Sequence, residues 1–436
     1  MLTMPDWRGL IAARPALSMH ARDGLLFEEV PLRAIAERTG TPVWVYGAGT
    51  IRARQAALRA AFDSAGLGIA FRYAVKANDH RAILGLMRAG GLGADVTSAG
   101  ELARALGAGI APGSIVFSGV GKTRAEIEMA LARGIGQINV ESAEELMMIS
   151  AAASALGRTA PVAFRVNPDV DAASHAKITT GRAGDKFGIA HDEVAALYRH
   201  AAGLDGVSPV GLAVHIGSQI LTLAPYEAAY RRMAALTGGL RAAGQEVARL
   251  DLGGGFGIPY RDEPGFPLDS YARMVRRVVG GLGLELIAEP GRYLVGPAGL
   301  LLAGVTLIKQ TRSRRFVVLD AGMNDLLRPA LYDAFHGIVP VDAADAARPA
   351  GPCEVVGPVC ETGDRFAEAR DLPPLAPGAL VALLDAGAYG AVMSSTYNSR
   401  PHAAQVLVDR GAFHLIRPRQ RIEALWQDEI VPEGLD

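Results

Sequence analysis

Two kinds of segment alternate along the middle of the chain. Short apolar runs rich in β-branched residues are followed by longer segments in which apolar residues recur with helical spacing. Nearly continuous apolar runs are typical of strands buried on both faces of a parallel sheet. The predicted strands cover residues 70–75, 94–97, 115–118, 138–141, 162–167, 210–217, 249–252 and 284–289. The predicted helices between them cover residues 80–89, 99–108, 124–133, 143–156, 193–202, 226–243 and 268–279.

Eight strands with seven intervening helices fit a (β/α)8 TIM-like barrel. An open, doubly wound sheet is the alternative, and its usual mark is the dinucleotide fingerprint G-x-G-x-x-G. Residues 253–257 read Gly-Gly-Gly-Phe-Gly and cannot be aligned to that fingerprint. Gly91-Leu92-Gly93 is followed by Val96 where the third glycine is required. We therefore expect an α/β fold built on the closed barrel.

The pattern changes after residue 297, where short strands follow one another without long helices between them. This arrangement is typical of an antiparallel β domain. The predicted strands cover residues 305–308, 316–319, 353–356, 380–384, 405–408 and 413–416, with 25–28 as a further candidate. We predict a barrel domain over 42–297, beginning with a strand at 43–46 and a helix at 52–61. Residues 1–41 and 298–436 then form the β domain.

Composition and charge narrow the possible functions. The 436 residues are 50% hydrophobic, which suffices for a large core and two domains. Lysine and arginine number 44 against 45 acidic residues, so no net charge favours nucleic acid or an anionic membrane. The longest apolar stretch, 294–308, is shorter than the ~20 residues of a membrane span. With no signal peptide and only Cys353 and Cys360, we expect a cytoplasmic protein with reduced thiols and no metal site.

Polar residues and glycines cluster where five of the predicted barrel strands end. Catalytic groups of such barrels lie at the carboxyl ends of the strands. Packing alone does not explain five clusters at one rim. The clusters are Lys76-Ala77-Asn78, Asp95 with Ser98, His215 with Ser218, Gly253 to Gly255, and Glu289 with Arg292.

Six short motifs in a fixed order resemble the alanine-racemase-like, fold-type-III decarboxylases that use pyridoxal phosphate. They span residues 73 to 390, most of the chain, and six in order are highly specific. Within that family, the decarboxylases that act on diaminopimelate are the most similar. The motifs are Tyr73-Ala74-Val75-Lys76-Ala77-Asn78, His215-Ile216-Gly217-Ser218, Gly253-Gly254-Gly255, Glu289-Pro290-Gly291-Arg292, Gly357-Pro358-Val359-Cys360-Glu361 and Ala388-Tyr389-Gly390.

Each barrel residue has a structural and a functional interpretation. Lys76 is a solvated lysine at a strand end, or a desolvated amine that attacks the cofactor aldehyde, which the motifs together favour. The three glycines form a tight turn, admit a phosphate to the backbone, or do both. Glu289 forms an ion pair with a neighbouring arginine, or holds the proton on the pyridine nitrogen.

The remaining barrel residues also have two possible interpretations each. His215 is an ordinary core histidine or, by the resemblance, a ring stacked on the cofactor. Asp95 and Ser98 hydrogen-bond Lys76 or the cofactor, or Ser98 is only a helix N-cap with Glu101 three residues on. Ser218 could add a hydroxyl to the phosphate site. The resemblance assigns these residues to the cofactor: Lys76, Asp95, His215, Ser218, Gly253, Gly254, Gly255, Glu289, Gly291, Arg292 and Tyr389.

The resemblance also implies how substrate is bound and protonated. Cys360, otherwise an ordinary buried cysteine, becomes the proton donor, reaching the partner subunit's site in a homodimer. Arg328, otherwise a surface cation beside Pro329, and Tyr332 lie one helical turn apart and resemble a clamp for a distal carboxylate. Residues 177–188 resemble a mobile active-site loop. The substrate residues implied are Arg292, Arg328, Tyr332, Glu361 and Tyr389, and the catalytic residues are Lys76, His215 and Cys360.

The implied reaction is decarboxylation of meso-2,6-diaminopimelate to L-lysine and carbon dioxide. A decarboxylase for ornithine, arginine or carboxynorspermidine is the nearest alternative, although a purely cationic distal end does not need the pair Arg328 and Tyr332. A non-catalytic pyridoxal-phosphate-binding protein is disfavoured by the β domain, and a racemase by Glu289. The pair Asp79-His80 departs from the family pattern and adds charge beside Lys76. Residues 1–20 carry no assignment.

Overall fold

The computed structural model describes residues 6–171 and 186–435. They form two compact units. One unit comprises 52–259 and 264–294, and the other comprises the described residues up to 51, together with 260–263 and everything from 295 onwards. The predicted boundary at residue 42 therefore differs from the contact boundary, because the strand Val43–Gly47 pairs with strands of the second unit.

The first unit is a closed barrel, which confirms the predicted fold. Its eight parallel strands follow one another in sequence order around the barrel in the described part of the chain. Closure comes from the pairing of Glu285–Ala288 with Ala70–Ala74. The strands are Ala70–Ala74, Gly93–Val96, Ile115–Phe117, Gln137–Val140, Ala160–Asn167, Val207–Val214, Arg249–Asp251 and Glu285–Ala288, and the short Ile189–Ala190 adds to the fifth.

Helices lie between the barrel strands, and local capping begins several of them. Ser98 and Ser142 accept backbone N–H groups at two helix N-termini, and Thr123 forms a capping box with Glu126. Each cap turns the chain sharply after a strand, so the polar residues stay at the rim. The helices are Ala48–Ser64, Arg81–Ala89, Ala99–Gly107, Arg124–Arg133, Ala143–Ala155, Val194–Ala201, Ala224–Ala242, Leu268–Val278 and Arg292–Val295.

The second unit contains a nine-stranded sheet across its described residues. The prediction of a purely antiparallel sheet is wrong in two places. Arg315–Leu319 pairs parallel with Gly351–Val356, and Val43–Gly47 pairs parallel with Ala404–Asp409. Parallel neighbours need long crossovers, and residues 320–350 provide one of them. The strands are Val43–Gly47, Gly299–Gln310, Arg315–Leu319, Ile338–Pro340, Gly351–Val356, Arg365–Leu372, Leu380–Leu383, Ala404–Asp409 and Ala412–Arg417.

The N-terminal segment folds onto the same unit. It contributes the helices Trp7–Ala12 and Leu32–Thr39 and a three-stranded sheet of Leu17–His20, Gly24–Phe27 and Val30–Pro31. The candidate strand at 25–28 therefore belongs to this small sheet and not to the large one. Its apolar side chains join a core with those of the large sheet. The remaining helices of the unit are Arg328–Tyr332 and Ala343–Ala346. No helix within 6–171 or 186–435 is long and apolar enough to cross a membrane.

Candidate active site

The polar residues at the barrel rim surround one cavity. Lys76, Arg165, His215, Asp251 and Glu289 all line it. Parallel strands in a barrel end at the same face, which is why residues far apart in sequence meet here. Arg165 and Asp251 were not predicted from the sequence. Both are buried polar residues at or near the ends of apolar strands, and that was the available signal.

Lys76 lies in a short 3-10 turn, Val75–Ala77, directly after the first strand. Its Nζ is 3.4 Å from Oδ2 of Asp95, which is fully buried at the end of the second strand. The side chain of Lys76 is 37% exposed, so the amine has a partner within the barrel and remains accessible. This is the contact between Asp95 and Lys76 that the sequence left open.

Ser98, in contrast, serves the helix that follows it. Its Oγ accepts the backbone N–H of Glu101 at 3.2 Å, as expected for an N-cap. The Glu101 carboxylate in turn accepts the N–H of Thr97 at 2.6 Å. The structural interpretation of Ser98 is therefore the one that the geometry shows.

Two carboxyl groups meet at the ends of the seventh and eighth strands. No hydrogen-bond donor among the described residues reaches Oε1 of Glu289 or Oδ2 of Asp251, although both atoms are buried. Burial raises the pKa of Glu289 well above its usual value, and the negative charges of Asp251 and Asp95 raise it further. Burial also raises the pKa of Asp251. The neutral form of Glu289 is therefore favoured in this buried, negatively charged environment.

The glycine turn is joined to the ring of His215 by a hydrogen bond. The N–H of Gly254 donates to Nδ1 of His215 at 3.2 Å, so this nitrogen carries no proton. Burial, reinforced by the charges of Lys76 and Arg165, holds the pKa of His215 well below its usual value. The ring is therefore neutral, and its Nε2 carries the hydrogen.

Glycine is required in this turn for steric reasons. Gly253 and Gly255 have φ values of 67° and 94°, in the region that favours glycine. A Cβ on Gly254 would lie 2.0 Å from the carbonyl oxygen of Glu289. The turn thus lets the backbone approach closely, as a phosphate-binding loop requires. Both interpretations of these glycines are compatible with the structure.

Arg292 and Ser218 lie beside this turn. Nη2 of Arg292 donates to Oγ of Ser218 at 3.1 Å, joining the end of the eighth strand to the loop after the sixth. Arg292 is buried, and a Cβ on Gly291 would lie 3.1 Å from the side chains of Ala74 and Ala77. The guanidinium is therefore held close to the barrel rim.

Arg165, which lines the cavity, forms a buried ion pair with Glu141. Nη1 of Arg165 lies 2.6 Å from Oε1 of Glu141, and the Glu141 carboxylate also accepts the N–H groups of Gly119 and Gly188. Gly188 is the last residue of the predicted active-site loop, 177–188. Residues 177–185 of that loop lie outside the described residues. Glu141 thus holds the backbone of Gly188 next to the short strand Ile189–Ala190.

Asp79 and His80, which depart from the family pattern, have structural partners. Oδ2 of Asp79 lies 3.1 Å from Nε of Arg104, on the next helix. Nδ1 of His80 accepts the N–H of Ala82 and caps the helix Arg81–Ala89. The added carboxylate is therefore neutralised locally and does not act as an isolated charge beside Lys76.

The remaining predicted residues belong to the second unit. Cys360 is exposed, and its N–H donates to Oδ1 of Asn398 at 3.2 Å. Glu361 is exposed beside Tyr397, whose pKa it raises through a hydrogen bond and its charge. Tyr389 is half-buried with a φ of 55°. Thus Cys360 is not the ordinary buried thiol of the structural interpretation, whereas Cys353 is.

Arg328 is not a surface cation. It is 6% exposed, it begins the short helix Arg328–Tyr332, and its Nη1 lies 2.8 Å from Nε2 of His336. Its guanidinium also lies over the ring of Tyr260, 5.0 Å from the centroid. A buried guanidinium held in this way suits recognition of an anion.

The barrel cavity fits pyridoxal phosphate. It contains an accessible amine on Lys76, and a buried oxygen of Glu289 that no donor among the described residues reaches and that the N–H of a protonated ring nitrogen would satisfy. A Cβ on Gly253, Gly254 or Gly255 would lie within 2.4 Å of a neighbouring backbone oxygen, so only glycine lets this turn pack closely at the rim. Within the described residues, no group of histidine, cysteine or carboxylate side chains is arranged to hold a metal ion.

Comparisons with known proteins agree with this chemistry. Residues 48–296 match the family model described as pyridoxal-dependent decarboxylase, pyridoxal binding domain. The diaminopimelate decarboxylase of Zymomonas mobilis is 47% identical over 94% of this chain and 98% of its own length. The diaminopimelate decarboxylase of Pseudomonas aeruginosa is 46% identical over 94% of this chain and 97% of its own length.

Solved structures show the same fold. Diaminopimelate decarboxylase from Helicobacter pylori, complexed with L-lysine, superposes with a TM-score of 0.87 at 39% identity, covering 91% of this chain and 98% of that one. The enzyme from M. jannaschii, also in complex with L-lysine, superposes with a TM-score of 0.92 at 34% identity. The match covers 97% of this chain and 99% of that one. The resemblance carried by the six motifs is thereby confirmed, and the chain belongs to the diaminopimelate decarboxylase family of pyridoxal-dependent decarboxylases.

Proposed function

We propose that this protein decarboxylates meso-2,6-diaminopimelate to L-lysine and carbon dioxide with pyridoxal phosphate. The observation that carries the proposal is the meeting of Lys76, His215 and Glu289 around one barrel cavity, beside a glycine turn that a Cβ would block. The identity of 47% to a diaminopimelate decarboxylase over nearly the whole chain supports the choice of substrate. The setting we propose is the cytoplasm.

The barrel residues would hold the cofactor in distinct ways. Lys76 would bind its aldehyde carbon, and Gly253 to Gly255, with Ser218 and Arg292, would hold its phosphate. When bound, pyridoxal phosphate supplies an electron sink for the charge left as carbon dioxide departs. The carboxylate of Glu289 would accept the N–H of the ring nitrogen and so keep that nitrogen protonated. Neutral His215 would lie against the ring without adding a positive charge.

Lys76 would also handle protons once the substrate amine has replaced it. Its Nζ lies 3.4 Å from Oδ2 of Asp95, which would keep the displaced amine close to the reacting carbon. Asp95 lies in a fully buried position, so its interaction with the ammonium is strong. Asp95 is therefore a positioning residue for Lys76 in this proposal.

Recognition of the distal end of the substrate would fall to the second unit. Arg328 and Tyr332 would bind the distal carboxylate, with Arg292 as a further cation, and Glu361 would bind the distal ammonium. Tyr389 would contact both phosphate and substrate. The burial of Arg328 supports this assignment, because a desolvated guanidinium binds carboxylate more strongly than an exposed one.

Cys360 would return the proton to the carbon that lost carbon dioxide. We propose that it does so in the site of a partner subunit, in a homodimer with shared active sites. In this dimer, the barrel domain of one subunit, residues 42–297, would be completed by the β domain of the other subunit, residues 1–41 and 298–436. The exposure of Cys360 in the single chain supports this, because a proton donor for another subunit must lie at the surface.

The test of the proposed function measures carbon dioxide release from a panel of amino acids. Purified protein with added pyridoxal phosphate receives meso-diaminopimelate, ornithine, arginine or lysine. Release from diaminopimelate alone is expected. Preferential release from ornithine, arginine or lysine would overturn the substrate assignment, and release from none would overturn the enzymatic one.

A further inference from the structure

His336 is a deeply buried polar contact of Arg328. The imidazole is 1% exposed and lies between two partners. Nε2 is 2.8 Å from Nη1 of Arg328, and Nδ1 is 2.7 Å from the carbonyl oxygen of Leu384. Neither partner can switch between donor and acceptor, because a guanidinium only donates hydrogen bonds and a carbonyl oxygen only accepts them.

These two contacts fix the protonation state of the ring. Nε2 must accept from Arg328 and therefore carries no hydrogen, while Nδ1 must donate to Leu384 and therefore carries one. His336 is thus neutral in a single tautomer. The tautomer is determined by the backbone and makes the ring an acceptor aimed at the guanidinium.

The backbone around His336 is itself fixed by strand pairing. Ile338 pairs with Leu383 in antiparallel strands, and the N–H of Leu384 donates to the carbonyl oxygen of Gly337 at 2.8 Å. Nη1 of Arg370 donates to the carbonyl oxygen of His336 at 3.0 Å. The acceptor that faces Arg328 is therefore attached to the large sheet of its unit, not to a loose loop.

A ring completes the support. Tyr260 lies edge-on to His336, with ring centroids 5.6 Å apart, and its face lies under the Arg328 guanidinium at 5.0 Å. The guanidinium therefore has its plane fixed by Tyr260 and one N–H direction fixed by His336. An arginine has many rotamers, and losing them on binding costs affinity unless the side chain is already ordered.

We propose that His336 is a positioning residue that holds Arg328 ready for the distal carboxylate of the substrate. The inference rests on the proposed function, in which Arg328 binds that carboxylate. Decarboxylation removes one carboxylate of diaminopimelate and leaves the other on L-lysine. Binding of L-lysine therefore reports on the clamp, whereas cadaverine, the same diamine without a carboxylate, does not.

Two substitutions separate the contacts of the ring. In His336→Asn the amide replaces Nδ1, so the bond to Leu384 is kept and the acceptor for Arg328 is lost. In His336→Gln the amide oxygen takes the place of Nε2, so the acceptor is kept. Dissociation constants for L-lysine and for cadaverine are measured by calorimetry on the holoenzyme, with Arg328→Ala as a reference.

We expect His336→Asn to weaken L-lysine binding roughly ten-fold, the scale of one hydrogen bond to a charged group, and to leave cadaverine binding unchanged. His336→Gln should retain most of the L-lysine affinity. If His336→Asn binds L-lysine as the native enzyme does while Arg328→Ala does not, the positioning role is wrong and the clamp stands. Equal losses for both ligands in both His336 variants mean a merely structural role. Unchanged L-lysine binding by Arg328→Ala overturns the clamp and the inference together.

Discussion

Asp251 ends one barrel strand and Glu289 follows the end of the neighbouring strand, and burial raises the pKa of both carboxyl groups. The negative charge of Asp251 raises the pKa of Glu289 further, so the neutral form of Glu289 is favoured in the protein without cofactor. This relationship also has a consequence for stability that can be measured.

The stability of the cofactor-free protein should fall as the pH rises above the ordinary carboxyl pKa. The pKa of Glu289 is higher in the folded state, so the folded protein resists deprotonation while the unfolded chain ionises freely. Glu289→Gln cannot ionise, and its amide can donate to Asp251. The Tm of the variant minus that of the native protein should therefore increase between pH 5 and pH 8. A difference that is the same at both pH values would contradict the raised pKa of Glu289.

Lys76 should be the residue that carries the cofactor. Borohydride reduction followed by proteolysis is expected to leave pyridoxyl on the peptide that contains Lys76, because its amine is accessible and lies at the cavity. Lys76→Ala should lose the cofactor absorbance. Lys122 provides the control, since its Nζ is buried among three acceptors, and it should stay unlabelled. Label on any other lysine would contradict the assignment.

Gly254→Ala should destabilise the barrel and weaken cofactor binding. The new Cβ would meet the carbonyl oxygen of Glu289 at 2.0 Å, and backbone cannot move aside cheaply. A cost of roughly 1–3 kcal/mol in the free energy of unfolding is expected. Gly85→Ala is the matched control, because Gly85 lies within a helix and no atom lies within 4 Å of its added Cβ. That variant should be neutral or slightly more stable, and equal effects of the two would be inconsistent with the steric argument.

Mixing two inactive variants tests whether Cys360 acts across a dimer. In a mixed dimer of Lys76→Ala and Cys360→Ala, both lesions fall in one shared site and the other site is intact. Activity should return in one of the two sites of each mixed dimer. If every subunit used its own cysteine, each site would carry one lesion and no activity would return. Subunit exchange is verified by native mass measurement, so that a failure to recover activity is decisive against the shared site.

The barrel and its rim could be predicted because the burial of each strand is visible in the local sequence. Strands such as Ile115–Phe117 are buried throughout, so they read as unbroken apolar runs, and the residues that follow them must lie at one face. Asp251 and Arg165 could not be identified in the same way. Each lies in a buried part of a strand that contains a second polar residue, and its role depends on neighbours from other strands.

The second unit was harder for a related reason. Arg365–Leu372 alternates apolar and charged residues, and it was not recognised as a strand, although it pairs with Gly351–Val356. Val43–Gly47 was recognised as a strand but placed with the barrel. The assignment of a strand to a sheet depends on its partners, which lie far along the chain and leave no mark in the local sequence.

The position of Val43–Gly47 has a consequence for synthesis. This strand lies between Gly299–Gln310 and Ala404–Asp409, and the second partner is made about 360 residues after it. At a synthesis rate of roughly 5–20 residues per second, the ribosome needs on the order of half a minute to make the second partner strand, and the sheet cannot close before then. The barrel residues are complete well before that, so the barrel has the opportunity to fold first while a buried, apolar strand remains uncovered at the N-terminus. Truncation near the C-terminus would therefore expose the beginning of the chain, not only its end.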